Sequence, residues 1–138
     1  MTDLDARFDL AVQLALEGGA LAVQMRATLH GIETKSAMDF CTEADRAVER
    51  LVRERVAAHS GEPVIGEEEG GEATGDGVWV VDPIDGTAGY IHGTGRWCVS
   101  IAYLRGATME IGVIYAPATD RLFTARCGRG AFLNGRPI

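Results

Sequence analysis

At 138 residues the chain is one modest domain, and 46% hydrophobic with 24% charged residues is ordinary globular composition, which excludes disordered and fibrous classes. A formal net charge of −7 argues against non-specific binding to nucleic acid or to an anionic membrane. It does not argue against phosphate substrates, because a local cation inverts the sign of a site.

The N-terminus, MTDLDARFDL, lacks both a basic segment and a continuous apolar stretch, so no signal peptide is expected. No apolar run approaches the roughly 20 residues that span a bilayer. Leu4, Phe8, Ala11, Val12, Ala15 and Leu16 recur at three- and four-residue spacing and predict a first helix. Gly18 and Gly19 either weaken it or allow close packing, and His30 and Gly31 fall near its break. A second helix carries the stripe Ala44, Ala47, Val48, Leu51, Val52 and Val56. Thr42 followed by Asp45 reads as a capping box at its start, and Ser60-Gly61 as its stop. Cys41, Cys98 and Cys127 are odd in number and form no CxxC pair, which suits reduced thiols in a cytoplasmic protein.

From Pro63 onward the pattern is strand-like. Val64-Ile65 is a short apolar run, and residues 78–81 form a continuous one of the kind covered on both faces. Residues 97–104 and 110–116 flank Arg105-Gly106-Ala107, a hairpin signal. Residues 121–125 and 131–133 are further short strands. Asn134-Gly135 is a turn that normally leads into another strand, yet the chain stops at Ile138 with nothing expected for it to connect to.

Three acidic segments stand beside these elements. Glu67, Glu68 and Glu69 follow the first apolar strand; Asp82-Pro83-Ile84-Asp85-Gly86-Thr87 follows the second; residues 39–45 lead into the second helix. If the two strands are neighbours, Glu67 and Asp82 meet at one sheet end. A sharp turn through Pro83 would aim Asp82 and Asp85 at one point, with Ile84 offering its carbonyl. Hard oxygen donors of this kind suit Mg²⁺. A helix beginning at Gly86-Thr87 would turn free N–H groups toward an anion, and Gly86 leaves room for it. Each segment alone has a simpler meaning: a polar turn, a solvated acidic loop, and helix caps. His30, His59 and His92 lack ligand spacing, and Trp79, Trp97 and Phe123 read as core.

Together the motifs are more specific. WVVDPIDGT (residues 79–87), GEE (66–68), DFCTEAD (39–45) and the stretch 112–135 resemble, in order and spacing, the N-terminal motifs of the inositol monophosphatase family. The resemblance covers nearly everything from Lys35 onward. It implies Mg²⁺-dependent hydrolysis of a small phosphomonoester, inositol monophosphate foremost, with Mn²⁺ as a substitute and sensitivity to lithium. It implies Glu67, Asp82 and the Ile84 carbonyl as ligands of a first metal, and Asp82 with Asp85 as ligands of a second. Thr87 and Asp45 orient the attacking water, and Glu67 with water held by Asp45 serves a third metal. The Gly86 and Thr87 amides contact phosphate, Asp85 touches a substrate hydroxyl, and Lys35 lies near the metals. The fold implied is α+β: two N-terminal helices on a mostly antiparallel sheet, the first layer pair of an α/β/α/β/α assembly that forms homodimers at full length. Residues 1–138 would then be the N-terminal metal-binding domain, with a C-terminal domain absent and apolar surface left open. Gly89 stands where the family usually has Asn. The other readings are a non-catalytic metal-binding or interaction fragment, or a phosphatase for histidinol phosphate, 3′-phosphoadenosine nucleotides or fructose bisphosphate.

Overall fold

A computed structural model describes residues 2–28 and 34–138. The expected helix break at His30 and Gly31 lies outside the described residues. The first helix, α1, spans Asp3–Arg26 and begins with a capping box: the Thr2 hydroxyl accepts from the Asp5 amide at 3.1 Å, and the Thr2 amide donates to Asp5 Oδ2 at 2.7 Å. Its buried residues are Leu10, Ala11, Leu14, Ala15, Gly18, Gly19 and Ala22. The expected stripe is therefore shifted. Leu16 is exposed, while Leu10 and Leu14 are inside, because α1 packs against both the second helix and the sheet.

The two glycines serve close packing. A Cβ at Gly19 would lie 2.6 Å from Tyr115 Cδ2 and 2.9 Å from Pro117 Cγ. Tyr115 cannot swing aside freely, since its hydroxyl donates to Asp120 Oδ1 at 3.0 Å. Gly19→Ala is expected to lower stability by about 1–2 kcal/mol: overpacking removes about 1–3 kcal/mol, and the helix gains back less than about 1 kcal/mol. Urea unfolding of the two proteins measures the balance, and a stabilised variant would contradict it.

The second helix, α2, spans Thr34–His59 and starts well before Thr42. Thr42 is thus not a cap. It sits mid-helix, its hydroxyl donating back to the Met38 carbonyl at 3.2 Å. The apolar stripe is as expected, with Ala44, Val48, Val52 and Val56 fully buried. The helix stops where expected: the amides of Ser60 and Gly61 both bond to the Val56 carbonyl, with Gly61 at φ 68°.

The sheet has seven strands in sequential order: β1 Val64–Gly66, β2 Gly77–Asp85, β3 Cys98–Arg105, β4 Thr108–Ala116, β5 Arg121–Arg126, β6 Gly130–Leu133 and β7 Arg136–Pro137. β1 and β2 are parallel and the other pairs antiparallel. A short helix, α3, spans Thr87–His92 between β2 and β3. The α+β architecture is as expected: α1 lies over β3 and β4, α2 over β1 and β2. Trp79, Val81, Val99, Ile101, Tyr103, Ile111 and Val113 pack beneath them. The Asn134-Gly135 turn does have a strand to reach, since Arg136 pairs with Leu133.

Residues 78–81 are not covered on both faces. Trp79 and Val81 are buried, but Val80 is 36% exposed, because both helices occupy the same side. The outer face presents Val80, Met109 and Ile114 to solvent, over a cleft of about 410 Å³ that Phe123 also lines. Phe123 is accordingly half-buried and not core. The expected open apolar surface is this face.

Candidate metal centre

The parallel register of β1 and β2 brings the first two acidic segments together. Gly66, the last residue of β1, pairs with Val81, so Glu67 follows β1 beside Asp82 of β2. Glu67, Glu68 and Glu69 form a tight turn closed by reciprocal 3.0 Å bonds between Gly66 and Gly70.

Asp82 and Asp85 converge by a bulge, not by a turn beyond the strand. Asp82 opposes Ser100 and Asp85 opposes Cys98, so three steps on β2 match two on β3. Without the extra residue, a spacing of three would send the two carboxylates to opposite faces. With it, both share the outer face: the Cys98 thiol lies 3.9 Å from Asp85 Oδ2. Ile84 turns its side chain into the core, 2% exposed.

Gly86 follows at φ 94° as the N-cap of α3, with Thr87 as the first helical residue. Its lack of a side chain has a local cause: a Cβ there would lie 2.5 Å from the Arg96 carbonyl oxygen. The same carbonyl would sit 2.2 Å from a Cβ at Gly89, so the 94–96 segment fills the space that a side chain at Gly89 would take. α3 is pinned from α1. Arg26 donates to the Tyr90 and Ile91 carbonyls at 2.6 and 3.3 Å, and the buried Tyr90 hydroxyl donates to the Ala22 carbonyl at 2.8 Å.

Asp45 reaches the cluster from within α2. It is 7% exposed, and the Cys41 thiol stands 3.7 Å from its Oδ2. Thr87 also neighbours this thiol, so Cys41 stands beside both Asp45 and Thr87. Burial, then the charge of Glu68, pushes the Asp45 carboxyl up to about 7; Glu67 and Asp82 add to this, and the Cys41 contact opposes it. Asp82 is raised too, by burial first, then by the carboxyl of Glu67 within hydrogen-bonding reach, then by Asp85 and Glu68. Burial and the neighbouring carboxylates push the thiols of Cys41 and Cys98 up to about 12 and about 11. These are inert thiols.

Asp45 Oδ1 and Asp82 Oδ1 are buried with no hydrogen-bond partner. Such atoms are rare and ask for a partner. The neighbouring carboxyls of Glu67 and Asp82 repel one another unless a proton or a cation offsets their charge. Among the described residues, no three His, Cys, Asp or Glu side chains already close on one point at ligating distance. Like charges gathered by the backbone stand apart until a cation offsets their repulsion. An all-oxygen donor set suits a hard divalent ion.

Of the residues singled out in sequence, Asp45, Glu67, Asp82, Asp85, Gly86 and Thr87 therefore come to one end of β1 and β2, whereas the Ile84 side chain is buried in the core. Lys35 lies in α2, its side chain outside the described residues. His59 and His92 are exposed. Sequence reasoning missed Glu49 and Arg53. Glu49 is 0% exposed, and its carboxylate accepts from the amides of Glu68 and Glu69. The signal was present: Cys41, Asp45, Glu49 and Arg53 recur every four residues, one helix face. Placing the helix start at Thr42 hid it.

The inositol monophosphatase family model matches residues 3–138. The fructose-1,6-bisphosphatase/inositol-1-monophosphatase of Thermotoga maritima is 33% identical, over 96% of this chain and 52% of that relative. Inositol monophosphatase 3 of Solanum lycopersicum is 37% identical, over 94% of this chain and 51% of its own length. A crystal structure of inositol monophosphatase-II from Staphylococcus aureus superposes with a TM-score of 0.86 at 28% identity, over 96% of this chain and 51% of that one. The chain spans about half the length of the curated relatives it matches. It belongs to the inositol monophosphatase family.

Proposed function

We propose that the chain carries the metal-binding half of a Mg²⁺-dependent phosphatase for a small phosphomonoester, inositol monophosphate foremost. The observation that carries this reading is the pair of buried, unpartnered carboxylate oxygens, Asp45 Oδ1 and Asp82 Oδ1, within one acidic cluster. Glu67, Asp82 and the Ile84 carbonyl would hold one cation, Asp82 and Asp85 a second, and Glu67 a third; Mn²⁺ offers the same hard chemistry. When bound, such a cation supplies Lewis acidity toward water and phosphate oxygens. Asp45, with an oxygen free to accept, and Thr87 would orient the attacking water, with Cys41 setting their spacing. The Gly86 and Thr87 amides would hold the phosphate, and Asp85 a substrate hydroxyl. Positioning and charge neutralisation suffice, because phosphoryl transfer asks for little covalent help. The full-length enzyme is a cytoplasmic homodimer sensitive to lithium in this reading. No described helix is long and apolar enough to cross a membrane.

The test is phosphate release by this chain joined to the segment that completes its relatives' length. Inositol 1-phosphate, histidinol phosphate, 3′-phosphoadenosine phosphate and fructose 1,6-bisphosphate form the panel. Release should require Mg²⁺ and fall more than about 100-fold in Asp85→Asn, since even groups that only support a ligand contribute roughly 10–100-fold. Undiminished turnover in that variant would remove Asp85 from the site. The name of the Thermotoga relative favours a second reading, in which fructose 1,6-bisphosphate is hydrolysed as well.

A further inference from the structure

We propose that Glu49 is a positioning residue for the metal centre: it fixes the turn that presents Glu67 and so sets cation affinity without touching the cation. This rests on the metal reading above. A carboxylate at 0% exposure is unfavourable unless its oxygens are fully engaged. Glu49 Oε1 accepts from the Glu68 amide at 2.9 Å, and Oε2 accepts from the Glu69 amide at 2.9 Å and from Arg53 Nε at 3.2 Å. Arg53 extends the clamp, donating to the Val64 carbonyl at 3.0 Å and the Gly70 carbonyl at 2.5 Å. The turn thus closes around the Glu49 carboxylate, while Arg53 ties both of its arms to α2.

Gly66 records how tight this enclosure is. A Cβ there would fall 2.1 Å from Glu49 Oε1. Glu67 sits between two fixed points, Gly66 held by the β1–β2 register and Glu68 held by Glu49. Its backbone has little freedom, and its side chain starts from one place. Outer partners of this kind orient ligands, and removing one weakens metal binding roughly 10–100-fold. A plain helix-to-loop brace would make a different prediction: stability would fall while affinity for the cation stayed the same.

The experiment compares the unsubstituted chain with Glu49→Gln and with Val56→Ala, a core truncation two turns along the same helix. Mn²⁺ uptake is read by calorimetry and by loss of the free-ion paramagnetic signal, stability by thermal melting, and the Glu68 and Glu69 amides by hydrogen exchange. Glu49→Gln keeps the volume but sets an NH₂ group against one of the amides. Its Mn²⁺ affinity is expected to fall roughly 10–100-fold, with both amides losing protection and excess Mn²⁺ restoring occupancy. Val56→Ala should lose stability and keep its Mn²⁺ affinity. Equal Mn²⁺ affinity in the Glu49 variant, or amides that stay protected, would overturn the proposal. If Glu49→Gln fails to fold, Arg53→Lys tests the same clamp, since a single ammonium cannot reach the acceptors the fork spans; unchanged Mn²⁺ affinity there overturns it equally. No uptake by the unsubstituted chain would overturn the metal reading instead, and the two amides would then decide the role of Glu49 by themselves.

Discussion

Asp82→Asn is expected to abolish Mn²⁺ and Mg²⁺ uptake while leaving the metal-free chain folded and, above neutral pH, more stable than the original. Asp82 sits where every contribution to the centre meets: beside Glu67 through the parallel register, across the bulge from Asp85, and within the field that raises Asp45. In the proposed centre, removing its charge would delete a ligand for two cations and should weaken binding by well over the roughly 100-fold that a supporting group can contribute. Stability moves the other way. Burial and the neighbouring Glu67 raise the Asp82 carboxyl above its ordinary 3.8. The folded chain therefore holds a proton that the unfolded chain has released, and stability falls as pH rises from about 4 toward the folded value. Asparagine carries no charge and removes that fall. Melts in EDTA at pH 5 and pH 8 should show the original losing more than the variant between the two. With Mg²⁺ added, only the original should gain. Equal gains in both would remove Asp82 from the metal centre.

The placement of this centre was legible because apolar strands ending in acids deliver carboxylates to a sheet edge whatever the rest of the fold does. Glu67 and Asp82 needed only one further condition, that β1 and β2 be neighbours, and they are. Asp85 was found for an incomplete reason. A spacing of three contradicts strand alternation, and only pairing with β3 reveals the bulge that resolves it. Such a bulge depends on the partner strand, so no local pattern carries it. Glu49 was missed because a Glu among Arg and Glu on a helix reads as solvated until the turn that covers it is in view. Gly86 misleads in a similar way. It looks like an opening for an anion, but the Arg96 carbonyl already occupies the space where a side chain would stand. The face left open by the helices escaped the sequence reading of β2, since Val80 is as apolar as its buried neighbours.

At the opposite end of β1, a half-buried carboxylate, Glu62, holds the scaffold, and it yields the other large effect. Glu62 accepts from Arg7 Nε at 2.9 Å, Ser60 Oγ at 2.7 Å, Trp79 Nε1 at 3.3 Å and the Tyr103 hydroxyl at 2.7 Å. These donors come from α1, the end of α2, β2 and β3, so one side chain ties both helices to the sheet. Trp79 and Tyr103 pack at 5.1 Å between ring centres, and the Arg7 guanidinium lies over the Tyr103 ring at 5.2 Å. Glu62→Ala would strand Arg7, Trp79 and Tyr103, while the exposed Ser60 hydroxyl returns to water; breaking a charge pair this well covered removes about 3 kcal/mol. In a domain of this size that is a drop of roughly 10–15 °C in Tm. Burial alone would raise the Glu62 carboxyl, but the bonds from Arg7, Tyr103, Ser60 and Trp79 outweigh it and carry it from 4.5 down to about 2. A depressed value means stability that is complete above the unfolded value and lost as pH falls from about 4.5 through about 2. Glu62→Gln keeps the size without the charge and should flatten the stability profile in that window. Urea midpoints at pH 5 and pH 3 measure it: the original should lose more than the variant, and parallel losses would show that Glu62 does not gather these donors in solution.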